Sequence, residues 1–393
     1  MIETITRADI AAIDISDICT PEYTVQLERI RHEAALVLSR IAMRHLFATG
    51  EATHDPDAPP PSTGSERQPF FFRKRLIEYL ADRGDLIREG NIYRPTDMLV
   101  RRAETPEETY LAEVAGSSPD SPTMRALRAI ELIVEGVLQG RDGLALMEEK
   151  IGVEETWRIW QYLMVDVAPK QTCNSLVARV LDERLRSGEP TVVFEGGAGV
   201  GATLRAALRI DGFRRRARAI EHYGFTDISR DLMRSAKEML RQEAPELLAV
   251  TSFDRVDLDE LDAYDDVPYL RNGSADLIIL ENVLHDVENL REVLVSCHRI
   301  LKPGGWLVFT SGNRTRPGLF FPCEVFQTSL HSYNRAVLDP PRRVNVGYLT
   351  QEEWALSLKD AGFGQFRVLP DPVDPERWPF GGFVAERPST GLV

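Results

Sequence analysis

The chain has 393 residues, of which 43% are hydrophobic and 27% charged, and its formal net charge is −14. That length accommodates two domains, or one large domain with an appendage. The acidic balance argues against a polyanionic main partner, so no nucleic acid is expected, and no run of about 18 apolar residues offers a membrane span.

Cys19, Cys173, Cys297 and Cys323 are scattered with no close pair, which argues against CxxC-type metal or redox motifs and for a reducing compartment. The first residues, MIETITRADIAAIDIS, lack a basic segment followed by an apolar one, so no signal peptide is expected. A cytoplasmic protein is the expectation. No cluster has convincing metal-ligand spacing, so no metal site is expected.

In chain order, Thr20-Pro21-Glu22 predicts a helix start with Pro at the first helical position. Leu27, Ile30, Ala34, Leu38 and Ile41 then recur at helical steps, and Gly50 offers a stop. Residues 50–69 are polar and Pro-rich, which predicts a flexible loop. Residues 73–96 predict a helix ending near Gly84, then two short strands turning at Glu89-Gly90-Asn91. Helix plus hairpin is the end of a winged helix. Glu78, Asp82, Asp85 and Glu89 make a DNA-binding face a poor fit, so a lid or homodimerisation module is expected.

Residues 125–186 carry helical periodicity, as in Leu127, Ile130, Leu132, Ile133, Val137 and Leu138. Beyond Gly188-Glu189-Pro190 the pattern changes. Residues 191–194, 222–226, 248–253, 275–281 and 306–310 are short, apolar and β-rich, with helix-like stretches between most of them. That alternation predicts an α/β domain with a Rossmann-like, doubly wound and mostly parallel sheet. The expected domains are therefore 1–188, helical and winged-helix-like, and 189–393, Rossmann-like. Arg214, Arg215, Arg216 and Arg218 form a local basic run, read as a solvated helix face.

The run VVFEGGAGVG places glycines where the first of these strands ends and a helix begins. Glycine lets the chain turn tightly and lets a ligand lie against bare backbone. A phosphate-binding loop would carry a Lys after the glycines, and none follows. Nicotinamide and flavin folds use similar loops, so the glycines alone do not choose a ligand. Glu195 ahead of them would repel a pyrophosphate, but suits a cation or an amino group. S-adenosyl-L-methionine (SAM) carries both an ammonium and a sulfonium. Asp227, ending the next strand, can accept ribose hydroxyls, or else serve a helix start. Asp257, read as ending the third strand, can meet the adenine amino group, or be a solvated turn acid. The strand 277–280 delivers Glu281, Asn282 and His285 to the carboxyl edge of the sheet, where open α/β sheets do their ligand chemistry.

EGGAGVG, FTDIS, VDL, ENVLHD and LKPGGWLVF, in that order over about residues 185 to 310, resemble the motifs of class I SAM-dependent methyltransferases. The resemblance implies a cofactor site lined by Glu195, Gly197, Gly199, Gly201, Asp227, Ile228, Asp257, Leu258, Glu281 and Asn282. Two subfamilies are similar to the rest. C-methyltransferase domains of polyketide synthases share the YGFTDIS and NVLH segments and a helical, wing-like N-terminal part. Small-molecule O-methyltransferases that dimerise through a winged helix share the LHD segment.

Both use a His as general base, and the resemblance places it at His285. A base near neutrality suits methyl transfer, since the nucleophile gains reactivity as its proton leaves. The polyketide-type domains pair that His with a Glu after the Pro-Gly-Gly turn. Here Ser311 stands at that position, and Asp286, Glu281 or Glu324 are the carboxyls that could substitute. The implied function is methylation of a small metabolite or an acyl carrier-bound, polyketide-like acceptor, with carbon favoured. The alternatives are a small-molecule O-methyltransferase and a SAM-binding, non-catalytic scaffold. Residues 342–363 are read as a substrate-side strap, a helix and the start of a closing hairpin. His331 and Tyr333, with Phe320, Phe321, Phe326 and Trp354, line an acceptor pocket or form aromatic core.

Overall fold

The computed structural model describes residues 18, 20–56, 58–61, 66–314, 321–369 and 378–389. The described chain divides into two compact units, one of residues 21–168 and 321–335, the other of 169–314 and the described residues from 336 onward. The boundary thus falls at 168/169 rather than at the expected Gly188. The cause is α4 (Ala168–Arg184), whose Leu176, Val177, Val180 and Leu181 belong to the core of the sheet unit.

The helical unit is built on α1 (Pro21–His45), which buries Leu27, Ala34, Leu38 and Ile41 as their spacing predicts. A two-residue strand β1 (Ala52–Thr53) then pairs with β3, and α2 spans Arg67–Asp82. The expected 50–69 loop is therefore interrupted by a strand and ends at Arg67. Residues 57 and 62–65 of it lie outside the described residues. β2 (Leu86–Glu89) and β3 (Ile92–Pro95) form the expected hairpin, with Gly90 at φ +63 in the turn. Asp85 is fully buried and accepts both Nη atoms of Arg102 at 2.7 and 3.1 Å, so this acid closes an internal ion pair. In α3 (Pro122–Leu138) the expected apolar face forms around Leu127, Ile130, Ile133 and Val137, whereas Leu132 is 58% exposed.

The sheet unit carries seven strands in the order β6-β5-β4-β7-β8-β10-β9. β4 (Thr191–Glu195), β5 (Ile220–Asp227), β6 (Thr251–Arg255), β7 (Ala275–Leu280) and β8 (Leu301–Gly312) run parallel. β9 (Phe366–Leu369) and β10 (Phe380–Glu386) add an antiparallel edge. All six residues of β7 are buried, as a parallel strand covered on both faces requires. The third strand starts at Thr251, later than expected, because Pro245 opens a short helix through Leu248. Strand order reverses between β4 and β7, where the carboxyl ends leave a crevice suited to a ligand. No helix among the described residues is long and apolar enough to cross a membrane.

Candidate functional site

The glycine loop sits at this switch point. Gly196 N donates to Ile279 O and Ala198 N to Thr226 O, both at 2.9 Å, so the loop is pinned between β7 and β5. Gly197 has φ +64, and a Cβ there would lie 2.7 Å from Val283 Cγ2; both facts require glycine. A Cβ on Gly199 would meet nothing within 4 Å, so this side of the loop is open. Gly201, at φ +79, leads into α5 (Ala202–Ala207).

Glu195 is buried, and Tyr223 OH donates to its Oε2 at 2.6 Å. Burial pushes its pKa up to about 7, against the lowering effects of Tyr223 and Thr203. Asp227 receives Gly199 N at 2.9 Å and Ser229 N at 2.7 Å. It therefore ties the glycine loop to the start of α6 (Arg230–Glu243), whose N-cap is Ser229 rather than Asp227. Burial raises the Asp227 pKa while these amides lower it. Ile228 beside it is 61% exposed, an apolar side chain left facing outward. Asp257 lies two residues beyond the end of β6 rather than ending it. It caps a 3-10 turn by accepting Asp259 N at 3.1 Å, and Leu258 beside it is buried.

Across the crevice, the turn after β7 carries Glu281, Asn282 and His285. Thr310 Oγ1 accepts from Asn282 N at 2.9 Å and donates to Glu281 Oε1 at 3.1 Å. Burial pushes the Glu281 carboxyl up to about 7. Asn282 sits at φ +53, a left-handed conformation that non-glycine residues adopt at a cost. His285 lies in this turn, five residues ahead of the start of α7 (Leu290–Ile300), rather than starting a helix. Its ring is fully buried, 4.4 Å from the Tyr348 ring. Desolvation first, then Lys170, Arg343 and Arg314, hold its pKa well below the usual histidine value. The imidazole is therefore neutral at pH 7, and its burial and the nearby cations disfavour the protonated ring.

Asp286 is the carboxyl found beside the imidazole, with Oδ1 3.7 Å from Nε2. Ser311 Oγ is buried with no hydrogen-bond partner among the described residues, and Glu281 is engaged with Thr310. Glu324 belongs to the helical unit, where it accepts Phe321 N and Tyr333 OH.

Several residues that bear on His285 carried no motif signal. Arg343 is buried and donates to His285 O and Val287 O, each at 2.7 Å, which fixes the turn after β7. Lys170, on the first turn of α4, is 2% exposed and donates to Asn282 Oδ1. Its Nζ lies 4.7 Å from the Phe380 ring centroid and 3.4 Å from Tyr348 OH. The strap residues Arg343 and Tyr348 precede α8 (Gln351–Asp360), which Thr350 and Glu353 start with a capping box. Glu353 Oε1 also accepts Val344 N at 2.9 Å and anchors the strap to the helix.

The expected aromatic acceptor pocket is not one cluster. Trp354 packs between Phe309 and Phe383 in the sheet unit, at 4.6 and 5.9 Å. Phe326 stacks edge-on with Trp160 in the helical unit, and His331 bonds Gly140 O there. Phe320 lies outside the described residues.

The donor set of the crevice fits a cationic nucleoside. Two carboxyls flank an open glycine backbone, and an exposed aliphatic side chain stands beside one of them. Residues 194–307 match a family described as a methyltransferase domain. A "Polyketide synthase-like protein Preu9" from Preussia isomera is 25% identical over 262 residues, 65% of this chain but 11% of that protein. Among solved structures, the DszA carbon methyltransferase aligns with TM-score 0.67 at 21% identity, covering 99% of this chain and 98% of that one. The CurJ carbon methyltransferase aligns with TM-score 0.65 at 19% identity, covering 97% and 96%. At these identities the structural likeness establishes the fold. The methyltransferase domain implies S-adenosyl-L-methionine as its cofactor. The chain thus carries a SAM-dependent methyltransferase domain, folded as in carbon methyltransferases and related in sequence to polyketide synthases.

Proposed function

We propose that the chain methylates a carbon of a carrier-bound, polyketide-like acyl acceptor, with His285 as the general base. The observation that carries this reading is the placement of His285. It is buried at the carboxyl edge of the sheet, packed on Tyr348 and pinned through its own carbonyl by Arg343. The kinship to polyketide synthases supports the acceptor class.

Bound in the crevice, the cofactor supplies a methyl carbon activated by a sulfonium. In this reading Glu195 attracts its ammonium and Asp227 accepts its ribose hydroxyls. Ile228 and Leu258 offer apolar surface to the adenine, with Asp257 beside them and Gly197, Gly199 and Gly201 forming the floor. Glu281 and Asn282 complete the rim. His285 takes the proton from the acceptor carbon, and burial of the ring excludes water from that step. Asp286, whose carboxyl burial pushes up to about 7, takes the place of the carboxylate expected at Ser311 and in its ionised form steadies the imidazolium once formed.

The test combines His285→Ala with a label. Wild-type protein given 13C-methyl SAM and a β-ketoacyl thioester should place the label on carbon. The variant should bind S-adenosylhomocysteine normally and lose about 10²- to 10⁴-fold in turnover. Label on oxygen would replace this reading with O-methylation. Undiminished turnover would remove His285 from the chemistry.

A further inference from the structure

Lys170 is a buried ammonium beside the turn after β7; the Glu281 and Asp286 carboxyls feel its charge, but burial pushes both up to about 7. Its hydrogen-bond partners are the Asn282 amide oxygen and the Tyr348 hydroxyl, and the Phe380 and Tyr348 ring centroids lie 4.7 and 5.8 Å away. Among the described residues no carboxylate lies within ion-pair distance of it. A charge withdrawn from water is costly unless an opposite charge and hydrogen bonds compensate it. An amide, a phenol and two ring faces compensate in part. The full complement of this cation is an oxyanion.

The position of the ammonium is specified from two sides. Asn282, which holds it, has the left-handed backbone noted above, and its N–H is locked on Thr310 Oγ1. Strain of this kind is kept where a side chain must be aimed. Tyr348 carries Lys170 near its hydroxyl and the His285 ring 4.4 Å from its own. Cation and base are thus mounted on one phenol.

We infer that Lys170, with Asn282 and Tyr348, forms an oxyanion-binding site at the edge where methyl transfer occurs. Two oxyanions of this chemistry reach that edge. One is the α-carboxylate of the cofactor. The other is the enolate oxygen formed when His285 removes a proton from a β-ketoacyl acceptor; the C–H electron pair moves onto the carbonyl oxygen and the proton stays on the imidazole. The second source rests on the proposed carbon reading, and the first does not. Preorganised positive charge in a dry site favours either anion far more than water would.

The experiment uses the full chain with Lys170→Met, which keeps the stem length and removes the charge, and Lys170→Arg, which keeps the charge. Two measurements need no turnover. Calorimetry compares S-adenosylhomocysteine with methylthioadenosine, which lacks the amino-acid tail. NMR follows exchange of the α-hydrogens of a β-ketoacyl thioester into deuterium oxide without cofactor.

If the carboxylate is the ligand, Lys170→Met weakens S-adenosylhomocysteine about tenfold or more and leaves methylthioadenosine unchanged. If the enolate is the ligand, exchange slows by about 10² while both nucleosides bind as before. In either case Lys170→Arg restores part of the loss, which a packing role for the stem would not predict. Overturning results are equal losses for both nucleosides, or neither measurement moving. Absence of exchange in wild-type protein would sink the carbon reading and the enolate source together, leaving the carboxylate arm to decide the site.

Discussion

The two sides of the crevice are built differently. On the side of β4 and β5, Glu195, the glycine loop and Asp227 lie within 33 residues of one another, and backbone amides tie them together. On the side of β7 and β8, His285 depends on Lys170, Thr310, Arg343 and Tyr348, which come from segments far apart in the chain. The first half is a local turn that a short motif can specify. The second is a tertiary assembly in which burial first, and then a cation more than 100 residues away, lower the pKa of the proposed base. A site of this type can keep its cofactor half while the acceptor half is rebuilt for a different substrate.

The largest expected effect breaks the local half. Gly197→Val adds a β-branched residue at φ +64, with Cβ 2.7 Å from Val283 Cγ2. Loss of cofactor binding by more than about 100-fold is expected by calorimetry, because strain and overlap act together on the loop backbone. Near-normal binding would show that the loop is softer than its hydrogen bonds imply.

Next is Asp227→Ala, which removes the acceptor for Gly199 N and Ser229 N as well as the carboxylate. Cofactor affinity should fall about 30-fold, and thermal stability should drop by about 1–2 kcal/mol for the orphaned amides. A stability loss without an affinity loss would restrict Asp227 to tying the loop.

Arg343→Met tests the assembled half. Two buried carbonyls of the 285–287 turn lose a charged donor, which should cost about 3 kcal/mol in denaturant unfolding. Turnover should fall while cofactor affinity stays within about twofold, since the cofactor half does not use this contact. A matching loss of affinity would mean that the two halves are one cooperative unit.

The smallest effect is one of pH. The Glu195 carboxyl is held at about 7 by burial, and in the proposed reading its charged form attracts the cofactor's ammonium. Affinity for S-adenosylhomocysteine should therefore rise severalfold between about pH 6 and 8, and Glu195→Gln should flatten the curve. The apo protein should show the opposite slope. A carboxyl raised above its unfolded value binds its proton better when folded, so its contribution to stability is lost as pH rises from 4.5 to about 7.

The asymmetry also explains what could be read in advance. The α/β alternation, the parallel strands, the glycine loop and the positions of Asp227 and His285 near the carboxyl edge were legible, because periodicity and turn chemistry are local. Asp257 was read as ending the third strand, but β6 stops at Arg255 and Asp257 caps the 3-10 turn that follows. The aromatic residues grouped as one pocket belong to two units, since aromaticity marks burial but not which core. Lys170 lay inside an ordinary helical pattern, where a lysine reads as solvated surface.

By itself the chain order determined the alternating elements, the tight glycine turn and the residue types available at each strand end. These follow from backbone sterics and hydrophobic period, which act over a few residues. Only the tertiary structure decided that α4 packs with the sheet, that Asp286 rather than Ser311 stands beside the imidazole, and that a buried ammonium faces the same phenol as His285. Those outcomes depend on desolvation and on charges brought together by packing, and neither quantity exists until distant segments meet.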